Sequence, residues 1–105
     1  MDKACKSNAT PLSFYSRYTV VVYYVYCIRS EKNGRVYTGF TENLKQRFKD
    51  HNSGKSSYTK NNRPYKLVYY EAYHSSDDAR KREKSLKLRS NAYRQLRIRI
   101  KNSLE

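Results

Sequence analysis

The hydrophobic pattern of the chain changes sharply at Thr19. Residues 1 to 18 mix Lys, Ser, Asn and Pro11 without periodicity and read as an N-terminal extension ahead of a domain spanning residues 19 to 105. From residue 19 to 28 nearly every position is β-branched or aromatic. Both faces of such a strand are apolar, which predicts a central place in a sheet. Asn33-Gly34 follows, the strongest short hairpin signal, and residues 35 to 40 form the returning strand. With Asn33 and Gly34 as the two turn residues, Lys32 faces Arg35, Ser30 faces Tyr37 and Ile28 faces Gly39. Equal parity then puts Tyr26 and Tyr37 on one face.

Beyond the hairpin the period lengthens. Leu44, Phe48 and His51 recur at helical spacing with Arg47 beside them, so a helix is expected over residues 42 to 52, capped by Thr41 and stopped at Ser53-Gly54. Residues 53 to 65 form a polar, basic loop. A third strand is predicted over residues 65 to 73. Ser75 with Asp78 makes a capping-box pattern for a helix running to about Arg89, marked by Ala79 and Leu86. Asn91 is expected to cap a last helix, with Tyr93, Leu96 and Ile100 on one stripe. The order strand, strand, helix, strand, helix, helix predicts a small α/β (α+β) domain on a mostly antiparallel three-stranded sheet flanked by helices.

Composition narrows the function. The 105 residues suit one domain with one modest core, so target selection is expected from that same domain or from a protein partner. Lys plus Arg is 23 against 9 for Asp plus Glu, a net of +14. An excess of one sign suits a polyanion, because each phosphate contact releases condensed counterions. No lipidation pattern or amphipathic anchor points to a membrane, and the apolar run from 20 to 28 is too short to cross one. Two cysteines, Cys5 and Cys27, give neither a zinc spacing nor a disulfide framework, which fits a reducing, intracellular setting. Among 12 tyrosines most must be core or strand residues, and a few can stack on bases or donate to phosphates.

Five short segments carry a more specific signal. Tyr24-Val25-Tyr26 and Tyr37-Thr38-Gly39, with eleven residues from Tyr26 to Tyr37, resemble the two halves of the GIY-YIG signature. Thr41, Leu44, Arg47 and His51 resemble the first helix of that nuclease superfamily. Asn52-Ser53-Gly54 and Arg63-Pro64 with Leu67-Val68-Tyr69 resemble its small single-domain branch, which is related to the catalytic domain of an excision-repair nuclease. Ala79, Arg82-Glu83 and Leu86-Lys87 resemble its metal-site helix. The likeness covers residues 22 to 90, and the segments fall in order on the expected elements.

The resemblance implies an endonuclease that hydrolyses DNA (RNA is not distinguished) with Mg²⁺ or Mn²⁺, in repair, recombination or replication-linked processing. It implies Glu83 as the metal ligand, Arg47 against the scissile phosphate, and general-base chemistry at one of the two motif tyrosines. The base role is assigned to Tyr37, and support of phosphate or water to Tyr26. Residue chemistry agrees. Phosphodiester hydrolysis needs an activated water, a cation at the phosphate and help for the leaving oxygen. Glu83 lies on the inward stripe with Ala79 and Leu86, where a carboxylate needs a cation, either a metal or a basic side chain. Arg47 either stabilises charge or snorkels past the apolar stripe. His51 orients or deprotonates water, or binds phosphate. An unperturbed tyrosine, with a pKa near ~10, is a poor base unless a cation favours its phenolate. Gly39 is either a strand-end bend or a place where backbone approaches substrate. Lys55, Lys60, Arg63, Arg82 and Lys87 are expected to contact substrate. Two positions depart from relatives: Phe40 stands where some carry lysine or a polar residue, and Asn91 is the nearest counterpart of a distal asparagine. The rival expectation is a binding module that keeps the fold without the activity, or a nuclease active only with a partner.

Overall fold

The computed structural model describes residues 21–105. The proposed extension, including Cys5 and the first residues of the predicted first strand, lies outside the described residues. Strand β1 (Tyr23–Ser30) is central: the sheet order is β2-β1-β3, with β2 (Val36–Thr41) and β3 (Tyr65–Tyr73) both antiparallel to it. Three helices follow the predicted order: α1 (Leu44–Ser53), α2 (Ser76–Lys87) and α3 (Asn91–Arg99). Short 3₁₀ turns occupy Lys60–Asn62 and Lys101–Leu104.

The apolar character of β1 on both faces has its reason in the layering. Val25 and Cys27 point to a core shared with Ala79 and Leu86 of α2 and Tyr93 and Leu96 of α3. Tyr26 and Ile28 point the other way, to a second core with Tyr65, against which Tyr37, Leu44 and Phe48 pack. The sheet is therefore covered by α2 and α3 on one side and by α1 on the other.

The hairpin register differs from expectation by two residues. Ile28 pairs with Tyr37 and Tyr26 with Gly39, not Ile28 with Gly39. The connection is four residues long, closed where the Ser30 amide donates to the Arg35 carbonyl at 2.8 Å. Ser30 is the cause. Its hydroxyl oxygen accepts from the Lys32 and Asn33 amides, which folds residues 31–33 into a turn of their own before Gly34 takes a left-handed φ of +77°. A shift of two preserves parity, so Tyr26 and Tyr37 still share a face.

A bulge in β3 has the opposite effect on parity. Cys27 pairs with Tyr69, yet Ile28 pairs with Leu67, so Val68 is the extra residue. Val68 and Tyr69 both pack on the α2–α3 core, while Tyr65 is turned to the α1 side.

Helix ends correct the sequence reading in three places. The N-cap of α1 is Asn43, whose side-chain oxygen accepts from the Gln46 amide at 3.1 Å. Thr41 instead accepts from the Asn43 amide and positions the cap. Gly54 closes α1 in the left-handed conformation, its amide bonded to the Asp50 carbonyl. Ser75 caps α2 as expected, but α2 stops at Lys87, and Arg89 adopts a positive φ of 55°. Ser90, not Asn91, occupies the cap of α3; its hydroxyl turns back to the Ser85 carbonyl.

Glu71 ties β3 to α2. Arg82 donates to both its oxygens at 2.9 to 3.1 Å, and the Tyr69 and Tyr73 hydroxyls donate to it as well. Burial pushes the Glu71 carboxyl up, but the guanidinium and the two hydroxyls outweigh this and hold it below the ordinary range. Glu71→Ala leaves Arg82 without its counter-ion and two phenols without acceptors. A loss of about 2 kcal/mol in urea unfolding is expected; an unchanged midpoint would remove the network from the fold's support.

Candidate active site

Gly39 stands opposite Tyr26 in the hairpin. A Cβ there would lie 2.3 Å from the Tyr26 hydroxyl oxygen and 2.4 Å from the ring carbon bearing it. The glycine is what lets the Tyr26 ring lie across edge strand β2. The space expected to admit substrate to the backbone is filled by Tyr26 itself.

From that position the Tyr26 hydroxyl shares a 2.7 Å hydrogen bond with His51 Nε2, and His51 Nδ1 shares another, also 2.7 Å, with the Thr59 hydroxyl. Tyr26, His51 and Thr59 are all buried. A neutral imidazole has one donor and one acceptor nitrogen, so the two hydroxyls must play opposite parts. The Arg47 guanidinium lies beside Tyr26 and offers only donors. This favours Tyr26 donating to Nε2 and Nδ1–H donating to Thr59.

Electrostatics follow from burial. Desolvation lowers His51 from 6.5 to about 4, with help from the positive charge of Arg47 and slight opposition from Asp50. Desolvation likewise raises Tyr26 from 10.0 to about 12, with Tyr37 and Glu83 adding to the rise and Arg47 opposing it. At neutral pH the pair is therefore an uncharged phenol bonded to an uncharged imidazole. With both nitrogens taken and no exposed surface, His51 touches neither water nor phosphate directly.

Tyr37 is half-buried and completes the aromatic cluster. Its ring meets His51 edge-on at 5.1 Å and Tyr26 at 6.5 Å between centroids. The Lys87 ammonium lies 5.7 Å from the centre of the Tyr37 ring. It also pairs with Glu83 at 3.1 Å, one helical turn back on α2. Helix α1 thus supplies Arg47 and His51, the hairpin Tyr26 and Tyr37, and α2 Glu83 and Lys87.

Among the described residues no three His, Cys, Asp or Glu side chains gather into a metal cage. The donor set is one carboxylate, Glu83, whose side chain is 18% exposed. It fits a hard cation that keeps most of its water and takes phosphate oxygens, and it does not fit a zinc centre.

Other sequence-picked residues lie elsewhere. Arg82 is committed to Glu71 on the α2–α3 side. Lys55 and Lys60 are exposed on the loop after α1. Arg63 donates to the Lys60 carbonyl and packs its guanidinium where a Cβ at Gly54 would stand. Two contributors were missed. Thr59 sits in the polar loop, where no periodicity marks it. Tyr65, 6.3 Å from His51, faces the site only because of the bulge. Asn52 fixes it there by accepting from its amide and donating to its carbonyl, at 2.7 and 3.1 Å.

A three-stranded antiparallel sheet whose central hairpin and two flanking helices bring together two tyrosines, an arginine, a histidine and a glutamate defines a nuclease-type catalytic domain. The chain belongs to the GIY-YIG catalytic-domain family, whose model matches residues 22–97. Nucleases of this family generally use divalent metals. Similar proteins include a UPF0213 protein of Staphylococcus haemolyticus, 42% identical over 66 residues, covering 62% of this chain and 79% of the relative. A UPF0213 protein of Syntrophus aciditrophicus is 44% identical over 72 residues, 66% and 80% of the two chains. One of Clostridium perfringens is 42% identical over 65 residues, 61% and 69%. No solved structure gives a significant match. No described helix is long and apolar enough to cross a membrane.

Two outcomes test the buried chain. Gly39→Ala is expected to expel Tyr26 and cost about 1–3 kcal/mol; wild-type stability in urea would show that Tyr26 does not depend on the notch. The second concerns pH. Because His51 is depressed from 6.5 to about 4, the unfolded chain binds this proton first. The stability held by neutral His51 is complete above pH 6.5 and is lost as pH falls from 6.5 toward 4, on the order of 3 kcal/mol in all. Urea midpoints across that window should fall more steeply for wild type than for His51→Gln. Equal slopes would assign the acid sensitivity elsewhere.

Proposed function

We propose that the chain is a divalent-metal-dependent endonuclease that hydrolyses DNA phosphodiester bonds, with Glu83 holding Mg²⁺ or Mn²⁺. The observation that carries this reading is the meeting of Tyr26, Tyr37, Arg47, His51 and Glu83 around one edge of the hairpin, from four separate elements. The cation, when bound, supplies charge stabilisation at the phosphate and at the leaving oxygen.

The chain's own residues divide the remaining work. Tyr37, the half-buried tyrosine of the pair, accepts the proton of the attacking water as its phenolate, while the water oxygen bonds to phosphorus. The bond to the leaving sugar oxygen breaks, and that oxygen is protonated from solvent. Arg47 offsets charge on the phosphate oxygens. Tyr26 is a positioning residue. Its proton is held toward His51, so its oxygen keeps Arg47 aimed. Lys87, half-exposed, would yield Glu83 to a bound cation, and its ammonium stands at the Tyr37 ring to balance charge there.

With a small domain and contacts to phosphate that carry no sequence code, selection by DNA shape is favoured: flaps, branches, nicks or single strands. Service in repair, recombination or replication-linked processing is proposed by analogy with the family, and a reducing compartment from two cysteines whose spacing gives no disulfide framework.

Labelled duplex, single-stranded, flap and four-way-junction DNA incubated with Mg²⁺ or Mn²⁺ tests the reading. EDTA and Glu83→Ala should abolish cleavage while binding persists. Tyr37→Phe should slow it about 100-fold or more, and Arg47→Ala about 100-fold. The rate should show no break near pH 6.5, since His51 stays neutral down to about 4. Cleavage indifferent to Glu83→Ala, or none on any substrate, would leave a binding module or a chain that needs a partner.

A further inference from the structure

A cleft of about 540 Å³ has Tyr37 in its wall and extends to Tyr93 and Arg97 of α3, with neither Glu83 nor Arg47 in its lining. Its walls carry Arg35 from the hairpin, Tyr58 from the loop after α1, Arg89 from the turn after α2, and Tyr93 and Arg97 from α3. Three arginines and four tyrosines, counting Tyr37 and Tyr65, line it, and among the described residues no carboxylate does.

These side chains are held ready. The Arg89 guanidinium lies over the Tyr93 ring at 4.1 Å and donates to the Val36 carbonyl at 3.0 Å. Arg97 lies 5.7 Å from the centre of the same ring and donates to the Tyr93 hydroxyl at 3.0 Å. Each guanidinium has five N–H donors, so most remain for a ligand. Among the described residues, none of Arg35, Arg89 and Arg97 meets a carboxylate. Arg89 also holds a left-handed backbone, φ 55°, where glycine is the usual occupant. Tyr58 is 82% exposed, and among the described residues it joins neither hydrophobic core. Forked cations, free of acids, beside an exposed ring fit a nucleotide: phosphate on the arginines, base on the tyrosine. The volume suits one small ligand, within the range of about 300–1,000 Å³.

We propose that this cleft binds an unpaired nucleotide of the substrate strand, next to the phosphate that is cut, with its base on Tyr58 and its phosphate on Arg89 and Arg97. The proposal rests on the nuclease reading and names its substrate: DNA with a single-stranded arm at the cleavage point. A strand entering here passes Tyr37 before reaching Arg47 and Glu83.

Binding without cleavage separates the two ideas. The full chain, in EDTA, is titrated against a fluorescent blunt duplex and the same duplex with a single-stranded arm, read by anisotropy. Wild type should prefer the arm. Tyr58→Ala, a change at an exposed position, should bind the armed DNA about ten-fold more weakly and leave the blunt duplex unaffected. Arg97→Gln and Arg89→Gly, the latter suited to the left-handed backbone, should each lower the salt slope on armed DNA by about 1. Lys84→Gln, an exposed charge removed from α2, should leave the preference intact; thermal melting verifies that each variant folds. No preference for the arm in wild type, an unchanged preference in Tyr58→Ala, or an equal loss in Lys84→Gln would overturn the subsite. Metal-dependent cleavage together with an unmoved preference sinks the subsite and spares the nuclease. Arm preference lost in Tyr58→Ala, in a chain that cuts nothing, keeps the subsite and sinks the nuclease.

Discussion

An imidazole closed off from water between two hydroxyls is the constraint around which this small domain is arranged. His51 has no exposed surface, and an unmatched polar group in that position would be costly. Tyr26 and Thr59 match both nitrogens, and each match makes a demand on another part of the chain. Tyr26 reaches His51 only because Gly39 has no side chain. Thr59 reaches it only because the loop after α1 doubles back, fastened by Gly54 at one end and by Asn52 holding Tyr65 at the other. One hydrogen-bonded row thereby joins the hairpin, the first helix and the loop. Tyr37, the tyrosine proposed as the base, rests against this row without being consumed by it.

The two faces of β1 divide labour. The α2–α3 side is the larger apolar core and contains the Glu71–Arg82 pair, which serves cohesion. The α1 side is smaller and polar at its centre. Glu83 and Lys87 on α2 are the points where the first side reaches the second. Charge on Glu83 is felt at Tyr26, and Lys87 stands at Tyr37. A basic excess that reads as uniform in composition is thus sorted by position. Arg82 is structural, Arg47 and Lys87 belong to the site, and Arg89 and Arg97 line the neighbouring cleft.

Much of this was legible from local patterns. The doubly apolar β1, the span of β3 and the Ser75 cap each depend on neighbours in sequence; β3 and the cap stand where pattern put them, while β1 runs Tyr23–Ser30, ending two residues beyond the expected Ile28. The meeting of Tyr26 with Tyr37 was legible for a subtler reason: parity survives an error of two in register. The four-residue hairpin loop was not legible, because the Ser30 hydroxyl competes with the Asn-Gly turn and wins through bonds that only the folded loop makes. Thr59 was invisible because its partner is eight residues away across a loop without period. Arg82 looked like a phosphate ligand because Glu71 lies on a different element. The tyrosines Tyr69 and Tyr73 that share this carboxylate gave no hint of it one at a time.

The bulge at Val68 makes the length of β3 matter alongside its composition. Removing one residue there would restore strict alternation, and the segment before the break would rotate by half a turn. Tyr65 would then leave His51 for the opposite core, and Asn52 would lose both backbone groups it holds. A conservative replacement at Val68 changes packing; a single deletion exchanges the inside of the site for its outside. Chains built on this plan are therefore held to the count of residues along the third strand as firmly as to the Glu71 and Tyr65 it carries.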